Sequence, residues 1–271
     1  MNDAPDLQAI TQIQRSIWSE GDFAMVANLV YFPSEALAEA LEIVPDERVL
    51  DVASGSGNAA IAAARRAWGN TVSSDFVPAL LERGRERAAA ERLEIEFVEA
   101  DAQDLPFDDA SFDVTISVYG AMFAPDQPKT AAELLRVTKP GGRIGMANWT
   151  PEGAVGGMFK TISKHAPPPP GIDPPVLWGT EDRVRDLFGD GVSDIRFERR
   201  LSRQPFRSPD HYIEFFRTWF GPAKMAFERV GADGEQALED DLRAYLGQVN
   251  TAGERALVLE GEYLQVVATR A

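Results

Sequence analysis

The first half of the chain repeats a pattern of short apolar runs followed by helix-forming stretches. The run Val49–Ala53 ends at a glycine-containing loop, and the alanine-rich stretch Asn58–Ala67 comes next. A weaker run, Thr71–Ser74, precedes Pro78, and proline is favoured in the first turn of a helix. Short apolar runs are typical of buried strands, and alanine-rich stretches are typical of helices. The pattern predicts two successive strand–loop–helix units.

Alternation of apolar and polar residues predicts further strands at Leu93–Val98 and Phe112–Val118. Ala131–Val137 is predicted as a helix, which the turn-forming residues Lys139–Gly142 bring to an end. The remaining strands are predicted at Arg143–Trp149, Ser193–Leu201 and Glu262–Arg270. Because strands that alternate with helices form parallel sheets covered on both faces, the predicted fold class is α/β. We expect a doubly wound, mostly parallel, seven-stranded sheet.

Helical patterns also occur outside these strands. Apolar residues between Leu7 and Ile17 recur at three- and four-residue spacing, so residues 1–40 are predicted as an N-terminal helical segment. Pro209–Phe220 and Pro222–Gly247 are predicted as helices that precede the last strand. The chain is therefore predicted as one domain over 1–271, with its core at 41–201 and 259–271 and an inserted helical cap at 202–258.

Glycine and proline are concentrated after the fifth predicted strand. Gly153, Gly156 and Gly157 precede the stretch Pro167–Pro175, which holds six of the 18 prolines. Because both residue types interrupt regular structure, this segment is predicted to be rich in loops.

Charge and composition exclude several classes of function. The 27 Lys and Arg residues against 43 Asp and Glu leave a net charge of −16, which repels nucleic acid and anionic membrane surfaces. The chain has no cysteine, and its two histidines are His165 and His211, so no metal site is expected. The N-terminal residues Met1–Asp6 do not resemble a signal peptide, and eighteen consecutive apolar residues occur nowhere. We expect a cytoplasmic protein without a membrane or nucleic acid as partner.

The loop after the first strand has the composition of a nucleotide-binding turn. It reads Asp51-Val52-Ala53-Ser54-Gly55-Ser56-Gly57, and its small residues allow close approach of a ligand to backbone amides. Gly55, Gly57 and Ala60 also fit the dinucleotide fingerprint, and Asp75 stands near the position of a ribose-binding acid. Two classes of adenosine cofactor fit this loop.

Three carboxylates favour a cationic cofactor. Asp51 stands at the end of the first strand, where it would repel a pyrophosphate and attract an ammonium or sulfonium group. Asp75 and Asp101 end the next two strands, and the carboxyl ends of parallel strands meet at the edge where such folds bind ligands.

These residues resemble the class I S-adenosylmethionine-dependent methyltransferases, in particular the small-molecule branch that includes ubiquinone- and menaquinone-type enzymes. The resemblance spans Glu47–Trp149 and implies a Rossmann-like sheet. It rests on Val49–Gly57, Asp75, Asp101-Ala102, Leu105-Pro106-Phe107, Ser111-Phe112-Asp113 and Leu135–Gly142. Ala53 stands where many members have the first glycine, and its methyl group would tighten the site.

The resemblance implies a role for each matching residue toward S-adenosylmethionine. Asp51 and the amides around Gly55 and Gly57 would hold the methionine end, and Asp75 would accept both ribose hydroxyls. Ala53 is also expected among the cofactor-binding residues. Further implied contacts are Phe76 on the adenine face, Asp101 on the exocyclic amine, the Ala102 amide on a ring nitrogen and the Val118 carbonyl on the cofactor amine. Trp18 is a candidate lid over the cofactor.

Methyl transfer requires alignment of a nucleophile and exclusion of water rather than a covalent protein intermediate. Tyr119, after the fourth strand, and His165 are the candidates for a general base. His165 precedes the proline-rich stretch, which is expected to hold it over the pocket. Met122, Phe123, Trp149 and Trp178 are predicted to line an apolar acceptor site. We therefore expect a small aromatic or lipophilic acceptor, methylated at oxygen, carbon or nitrogen.

Two other functions are compatible with parts of the sequence. A nicotinamide-dependent oxidoreductase would also use the glycine loop. A non-catalytic cofactor-binding protein is the other alternative, because the sequence contains no assured general base. The segment Val118-Tyr119-Gly120-Ala121 lacks the Asn/Asp-Pro-Pro motif typical of enzymes that methylate amino groups of nucleic acids and proteins. The sequence predicts neither the identity of the acceptor nor the oligomeric state.

Overall fold

Within residues 5–271, one seven-stranded sheet carries helices on both faces. The computed structural model describes these residues, so Met1–Ala4, with the start of the predicted N-terminal segment, lie outside the described residues. The strands are β1 (Val49–Val52), β2 (Thr71–Asp75), β3 (Ile95–Glu99), β4 (Phe112–Val118), β5 (Thr138–Trp149), β6 (Val192–Phe206) and β7 (Leu257–Arg270).

Ten α-helices are found in the described part of the chain. They are α1 (Leu7–Trp18), α2 (Phe23–Ala27), α3 (Tyr31–Ala40), α4 (Asn58–Ala67), α5 (Pro78–Ala90), α6 (Gln127–Val137), α7 (Ala154–His165), α8 (Glu181–Phe188), α9 (Pro209–Trp219) and α10 (Gly221–Val249). The last of these contains non-helical backbone at Gly231. No helix within residues 5–271 combines the length and apolar character needed to cross a membrane.

The strand order β3-β2-β1-β4-β5-β7-β6 confirms the predicted doubly wound, mostly parallel sheet. Strands β1 to β5 pair in parallel, whereas β7 runs antiparallel to both β5 and β6. The chain leaves β1 toward β2 on one side and returns to β4 on the other. The carboxyl ends of β1 and β4 therefore border the switch point at which doubly wound sheets bind ligands.

Local composition explains the first strand–loop–helix unit. All four residues of β1 are buried, as expected for a strand with helices on both faces. Eight of the ten residues of α4 are buried, because its alanines allow the helix to lie close to the sheet. Gly57 precedes this helix with φ of 80°, a left-handed conformation that glycine adopts without strain.

Helical segments from both ends of the sequence meet beside the carboxyl edge of the sheet. The Asp22 amide donates to the Trp219 carbonyl at 3.1 Å. A β-carbon at Gly221 would lie 2.0 Å from the Ile17 carbonyl oxygen, so only glycine fits where α10 begins. The N-terminal helices are thus held directly against α9 and α10.

The predicted loop-rich segment after β5 is confirmed only for residues 166–174, which contain most of the proline-rich stretch. The rest of the prediction is wrong, because α7, a short 3₁₀ helix at Pro175–Gly179 and α8 lie there. A β-carbon at Gly156 would lie 2.3 Å from the Thr150 carbonyl oxygen, and one at Gly157 would lie 2.1 Å from the Tyr245 hydroxyl. These glycines therefore permit close packing of α7 rather than interrupting the helix.

The last three strands are longer than predicted. β5 begins at Thr138 and so includes the residues expected to form a turn, while β6 continues to Phe206 and β7 begins at Leu257. The predicted cap at 202–258 thus contains the adjoining ends of two paired strands as well as α9 and α10. The division of the chain into core and cap stays a prediction.

Candidate active site

A cavity of about 890 Å³, here called the acidic cavity, lies at the carboxyl ends of β1, β2 and β4. Asp51, Asp75 and Asp101 all line it, as the sequence predicted from their strand-end positions. No lysine, arginine or histidine is among the described residues that line this cavity. Its electrostatic character therefore suits a cationic ligand and opposes a pyrophosphate.

Asp51 is held in place by one of its two oxygens. Oδ2 accepts a hydrogen bond from the Ala60 amide at 2.7 Å, which anchors the first turn of α4. Oδ1 is buried and has no partner within residues 5–271. Burial raises the pKa of Asp51 well above its usual value, and the negative charge of Asp75 raises it further, against the hydrogen bond from Ala60. A ligand cation would stabilise this carboxylate.

Asp75 is oriented by two backbone amides. Oδ2 accepts from the Gly55 amide at 2.8 Å, and Oδ1 accepts from the Val77 amide at 2.9 Å. Burial nevertheless raises the pKa of Asp75 to about 6. Each carboxylate oxygen can accept more than one hydrogen bond, so both keep acceptor capacity for a diol.

Asp101 is positioned by a residue that the sequence reasoning missed. Gln103 donates to Asp101 Oδ1 from its backbone amide at 2.9 Å and from Nε2 at 3.1 Å. Its Nε2 also donates to Thr11 Oγ1 of α1 at 3.0 Å, and its Oε1 accepts from the Asp126 amide at 3.0 Å. Gln103 therefore joins three separate segments at one wall of the cavity. The sequence signal that could have identified Gln103 was its position two residues after Asp101, a predicted strand-end acid.

The glycine loop supplies space rather than free amide donors at two predicted positions. The Gly55 amide is bound to Asp75, and the Gly57 amide donates to the Ser54 carbonyl at 2.9 Å. The expectation that both amides hold the ligand is therefore corrected. Ala53 and Gly55 line the cavity, whereas Gly57 does not and serves to begin α4.

The loop after β4 lies directly on the glycine loop. A β-carbon at Gly120 would lie 2.0 Å from the Ala53 carbonyl oxygen, so glycine is required there. Ala53 itself has φ of 52°, a left-handed conformation that strains a residue with a β-carbon. The contact between these two loops closes one side of the acidic cavity at the switch point.

A second cavity of about 500 Å³, here called the apolar chamber, adjoins the acidic cavity. The two share Trp18, Phe23, Val30, Tyr119 and Phe123 as walls. The other residues that line the chamber are Val26, Leu29, Trp149, Val155, Met158, Phe159, Gln204, Tyr212, Phe216 and Phe220. None of these side chains carries a formal charge at neutral pH. The chamber therefore suits a neutral apolar molecule.

Comparisons with known proteins agree with this geometry. Residues 49–142 match a family model described as a methyltransferase domain. An uncharacterized protein of Mycobacterium tuberculosis strain H37Rv is 39% identical over 268 residues, which cover 97% of this chain and 96% of that protein. A demethylmenaquinone methyltransferase of Deinococcus radiodurans is 42% identical over 136 residues, 49% of this chain and 56% of that enzyme. The chain belongs to the class I S-adenosylmethionine-dependent methyltransferases.

A solved structure supports the fold of this methyltransferase. The YcgJ protein from Bacillus subtilis superposes with a TM-score of 0.62 at 17% identity, over 88% of this chain and 98% of that one. Family membership decides against the nicotinamide-dependent and non-catalytic alternatives, and it identifies the cofactor as S-adenosylmethionine. The described lining of the acidic cavity contains no cationic side chain, which agrees with a positively charged cofactor.

The acidic cavity fits the methionine end of this cofactor, because it holds orphaned acceptor atoms. Besides Asp51 Oδ1, the buried atoms Asn58 Oδ1 and Ser34 Oγ have no partner within residues 5–271, and all three residues line the cavity. Asn58 is oriented by donation from Nδ2 to the Ala27 carbonyl at 2.9 Å. Asn58 and Ser34 were not predicted, because neither belongs to a recognisable motif.

The remaining predicted cofactor residues of the methyltransferase lie at the same cavity. Phe76, Ala102 and Val118 line it, and Trp18 lines both it and the apolar chamber. Trp18 packs edge-on against three aromatic rings at centroid distances of 5.0–5.5 Å, those of Phe23, Phe123 and Phe220. This cluster stands between the two spaces.

Tyr119 lies at the junction of the cavities but is a poor candidate for a base. Its ring stacks on Trp149 with centroids 3.8 Å apart, and its buried hydroxyl has no partner within the described residues. Burial raises the pKa of Tyr119 well above its usual value. Because the neutral form is favoured so strongly, this hydroxyl is suited to hydrogen bonding rather than to proton removal.

His165 is not brought to either cavity among the described residues. It is the last residue of α7, and its Nε2 lies 2.9 Å from Oδ2 of Asp241 on α10. The expectation that it lies over the pocket is corrected, because the segment is helical and carries the ring toward α10. Met122 and Trp178 also line neither space and are fully buried in the core, whereas Phe123 and Trp149 do line the apolar chamber.

Proposed function

We propose that this methyltransferase acts on a small, neutral, aromatic or lipophilic molecule bound in the apolar chamber. The supporting observation is the junction of two cavities of opposite character. The acidic cavity carries three aspartates, whereas no lining side chain of the chamber is charged at neutral pH. Binding of a charged acceptor in the chamber would leave its charge without a partner, which is costly away from water.

The predicted contacts with the cofactor form part of this proposal. Asp75 accepts hydrogen bonds from the ribose hydroxyls, while Phe76 and Asp101 bind the adenine. Asp51, together with Asn58 and the Val118 carbonyl, holds the positively charged amino end. When bound, S-adenosylmethionine supplies a methyl group on a cationic sulfur.

The residues at the junction contribute alignment and exclusion of water. Trp18, Phe23 and Phe123 form the shared apolar wall, and the Tyr119–Trp149 stack forms a flat surface beside it. Burial also raises the pKa of Tyr212, the other ionisable group in the chamber wall. With no side chain there suited to removing a proton, the chamber favours an acceptor that attacks in its neutral form through a hydroxyl oxygen or an electron-rich ring carbon, with the proton passing to solvent after the methyl group has been transferred.

The demethylmenaquinone methyltransferase among the relatives acts, by its name, on a quinone precursor. That similarity supports a flat ring system as acceptor here, because a quinone-type ring is neutral and apolar, as the uncharged walls of the chamber require. It covers about half of this chain, so it supports the class of acceptor rather than its identity.

Matched acceptors test the proposal. A naphthol and the same naphthol bearing a carboxylate are incubated with enzyme and labelled S-adenosylmethionine, and their binding is measured calorimetrically with S-adenosylhomocysteine present. We expect binding and methyl transfer with the neutral compound and neither with the carboxylate. Equal binding of the two compounds would contradict a neutral acceptor chamber.

A further inference from the structure

One polar side chain in the wall of the apolar chamber makes no hydrogen bond that would explain its presence there. Gln204 on β6 is 3% exposed and lines the chamber. Its side-chain amide has no hydrogen-bond partner within residues 5–271, and it is the one amide side chain among the described lining residues. An amide in an apolar wall without a protein partner leaves its donor and its acceptor free to pair with a ligand that enters the chamber.

The other glutamine side chain of this strand pair shows what a structural amide looks like. Gln265 on β7 is 4% exposed, yet its Oε1 accepts from Arg200 at 3.0 Å and its Nε2 donates to Glu198 at 3.4 Å. Gln265 does not line the chamber. Burial within the sheet therefore does not by itself leave a glutamine without partners.

Strand register places Gln204 away from the methyl-transfer end of the chamber. Trp149, the last residue of β5, pairs with Tyr263 of β7, whereas Gln204 pairs with Leu259. Four residues along β7 separate these two levels, which corresponds to roughly 13 Å of extended strand. The Tyr119–Trp149 stack and Gln204 thus lie at different levels along the chamber wall, and the Trp149 ring, which contacts the chain at Gly261, covers part of the distance between them.

We propose that Gln204 binds an uncharged hydrogen-bonding group, such as a carbonyl, hydroxyl or ether oxygen, carried by the acceptor at the end remote from the methylated atom. This inference rests on the proposed function of the chamber and adds a requirement to it. A flat apolar ring system alone would leave the Gln204 amide unpaired, and a site built around such an amide rejects analogues that lack the matching group. The acceptor is therefore an elongated ring system with the methylated atom at one end and an uncharged oxygen group at the other.

Two probes of equal size test this requirement. One is a naphthol with a methoxy group at the opposite end of the ring system, and the other carries an ethyl group there instead. Their affinities are measured calorimetrically with S-adenosylhomocysteine bound, for the native enzyme and for Gln204→Met, Gln204→Leu and the control Gln265→Met. A retained thermal shift with S-adenosylhomocysteine shows that each variant is folded.

We expect the native enzyme and Gln265→Met to bind the methoxy compound about tenfold more tightly than the ethyl compound. In both Gln204 variants the order reverses, because an apolar side chain favours the ethyl group. Equal affinities in the native enzyme, or a methoxy preference that survives in the Gln204 variants, would overturn the role of Gln204 while leaving the proposed chamber intact. Failure of both probes to bind the native enzyme would overturn the chamber itself and this inference with it.

Discussion

The acidic cavity and the apolar chamber share a wall but are assembled in different ways. The three acids of the acidic cavity stand at the ends of β1 and β2 and just after β3, so 51 residues, from Asp51 to Asp101, contain them all. The chamber draws its wall from Trp18 near one end of the chain and from Phe220 near the other. The acids of the proposed cofactor site are thus local in sequence, whereas the proposed acceptor site exists only in the tertiary structure.

The two spaces also differ in what they leave unsatisfied. Buried carboxylate, amide and hydroxyl oxygens without partners lie at the acidic cavity. The described wall of the chamber is apolar apart from two tyrosines and one amide side chain, that of Gln204. Unpaired acceptors select a ligand rich in donors and positive charge, while an apolar wall selects a neutral one. This difference suggests substitutions that affect one space and spare the other.

The largest expected effect is that of Trp149→Ala. Trp149 is 5% exposed and carries the stack with Tyr119, so its loss should lower the free energy of unfolding by about 3 kcal/mol, measured in urea. Naphthol binding should be lost, while S-adenosylhomocysteine still binds. Trp68→Ala is the control, because Trp68 is 80% exposed and should change little. Equal loss of both ligands in the folded Trp149 variant would show that the two spaces are not separable.

Asp75→Ala should have the converse effect. Removal of the carboxylate should weaken S-adenosylhomocysteine binding by about 2 kcal/mol in calorimetric titration, because the ribose contacts are lost. Asp194→Ala, which removes an exposed carboxylate from β6, should leave the affinity unchanged. Unaltered affinity in a folded Asp75→Ala variant would remove this residue from the site.

Cofactor affinity should fall as the pH is lowered through about 6, the raised pKa of Asp75. Binding favours the ionised carboxylate, so protonation competes with the ligand and costs up to about 1.4 kcal/mol per pH unit below that value. Asp75→Asn should lose the part of this dependence centred near pH 6. A pH profile identical in the two proteins would assign the titration to another group.

Ala53→Gly should give the smallest effect. Relief of the left-handed conformation should stabilise the protein by about 0.5 kcal/mol, after allowance for the greater freedom of glycine in the unfolded chain. Ala110 has the same φ of 52° away from both cavities, so Ala110→Gly should give a similar gain in denaturant unfolding. A loss of stability in Ala53→Gly alone would show that the methyl group contributes packing that outweighs the strain.

The different construction of the two spaces explains what could be predicted from sequence. Asp51, Asp75 and Asp101 could be placed because strand ends in a parallel sheet converge by topology. Asn58 and Ser34 could not, because their role depends on which polar atoms the fold leaves without partners. The same holds for Gln204, whose neighbours across the chamber come from distant helices.

The errors have the same origin. Gly156 and Gly157 were interpreted as helix breakers, although each occupies a position where a β-carbon would collide with a neighbouring segment. Sequence alone does not distinguish a glycine needed for close packing from one needed for a turn. His165 was placed over the pocket because it precedes the proline-rich stretch, whereas it ends α7 and lies beside Asp241.

The central claim is that the cofactor occupies the acidic cavity with its sulfur facing the apolar chamber. A crystal structure with S-adenosylhomocysteine tests it most directly. We expect the ribose hydroxyls on Asp75, the amino group at Asp51 and the sulfur beside the wall formed by Trp18, Tyr119 and Phe123. A ribose bound away from Asp75, or an adenine lodged in the apolar chamber, would contradict the account.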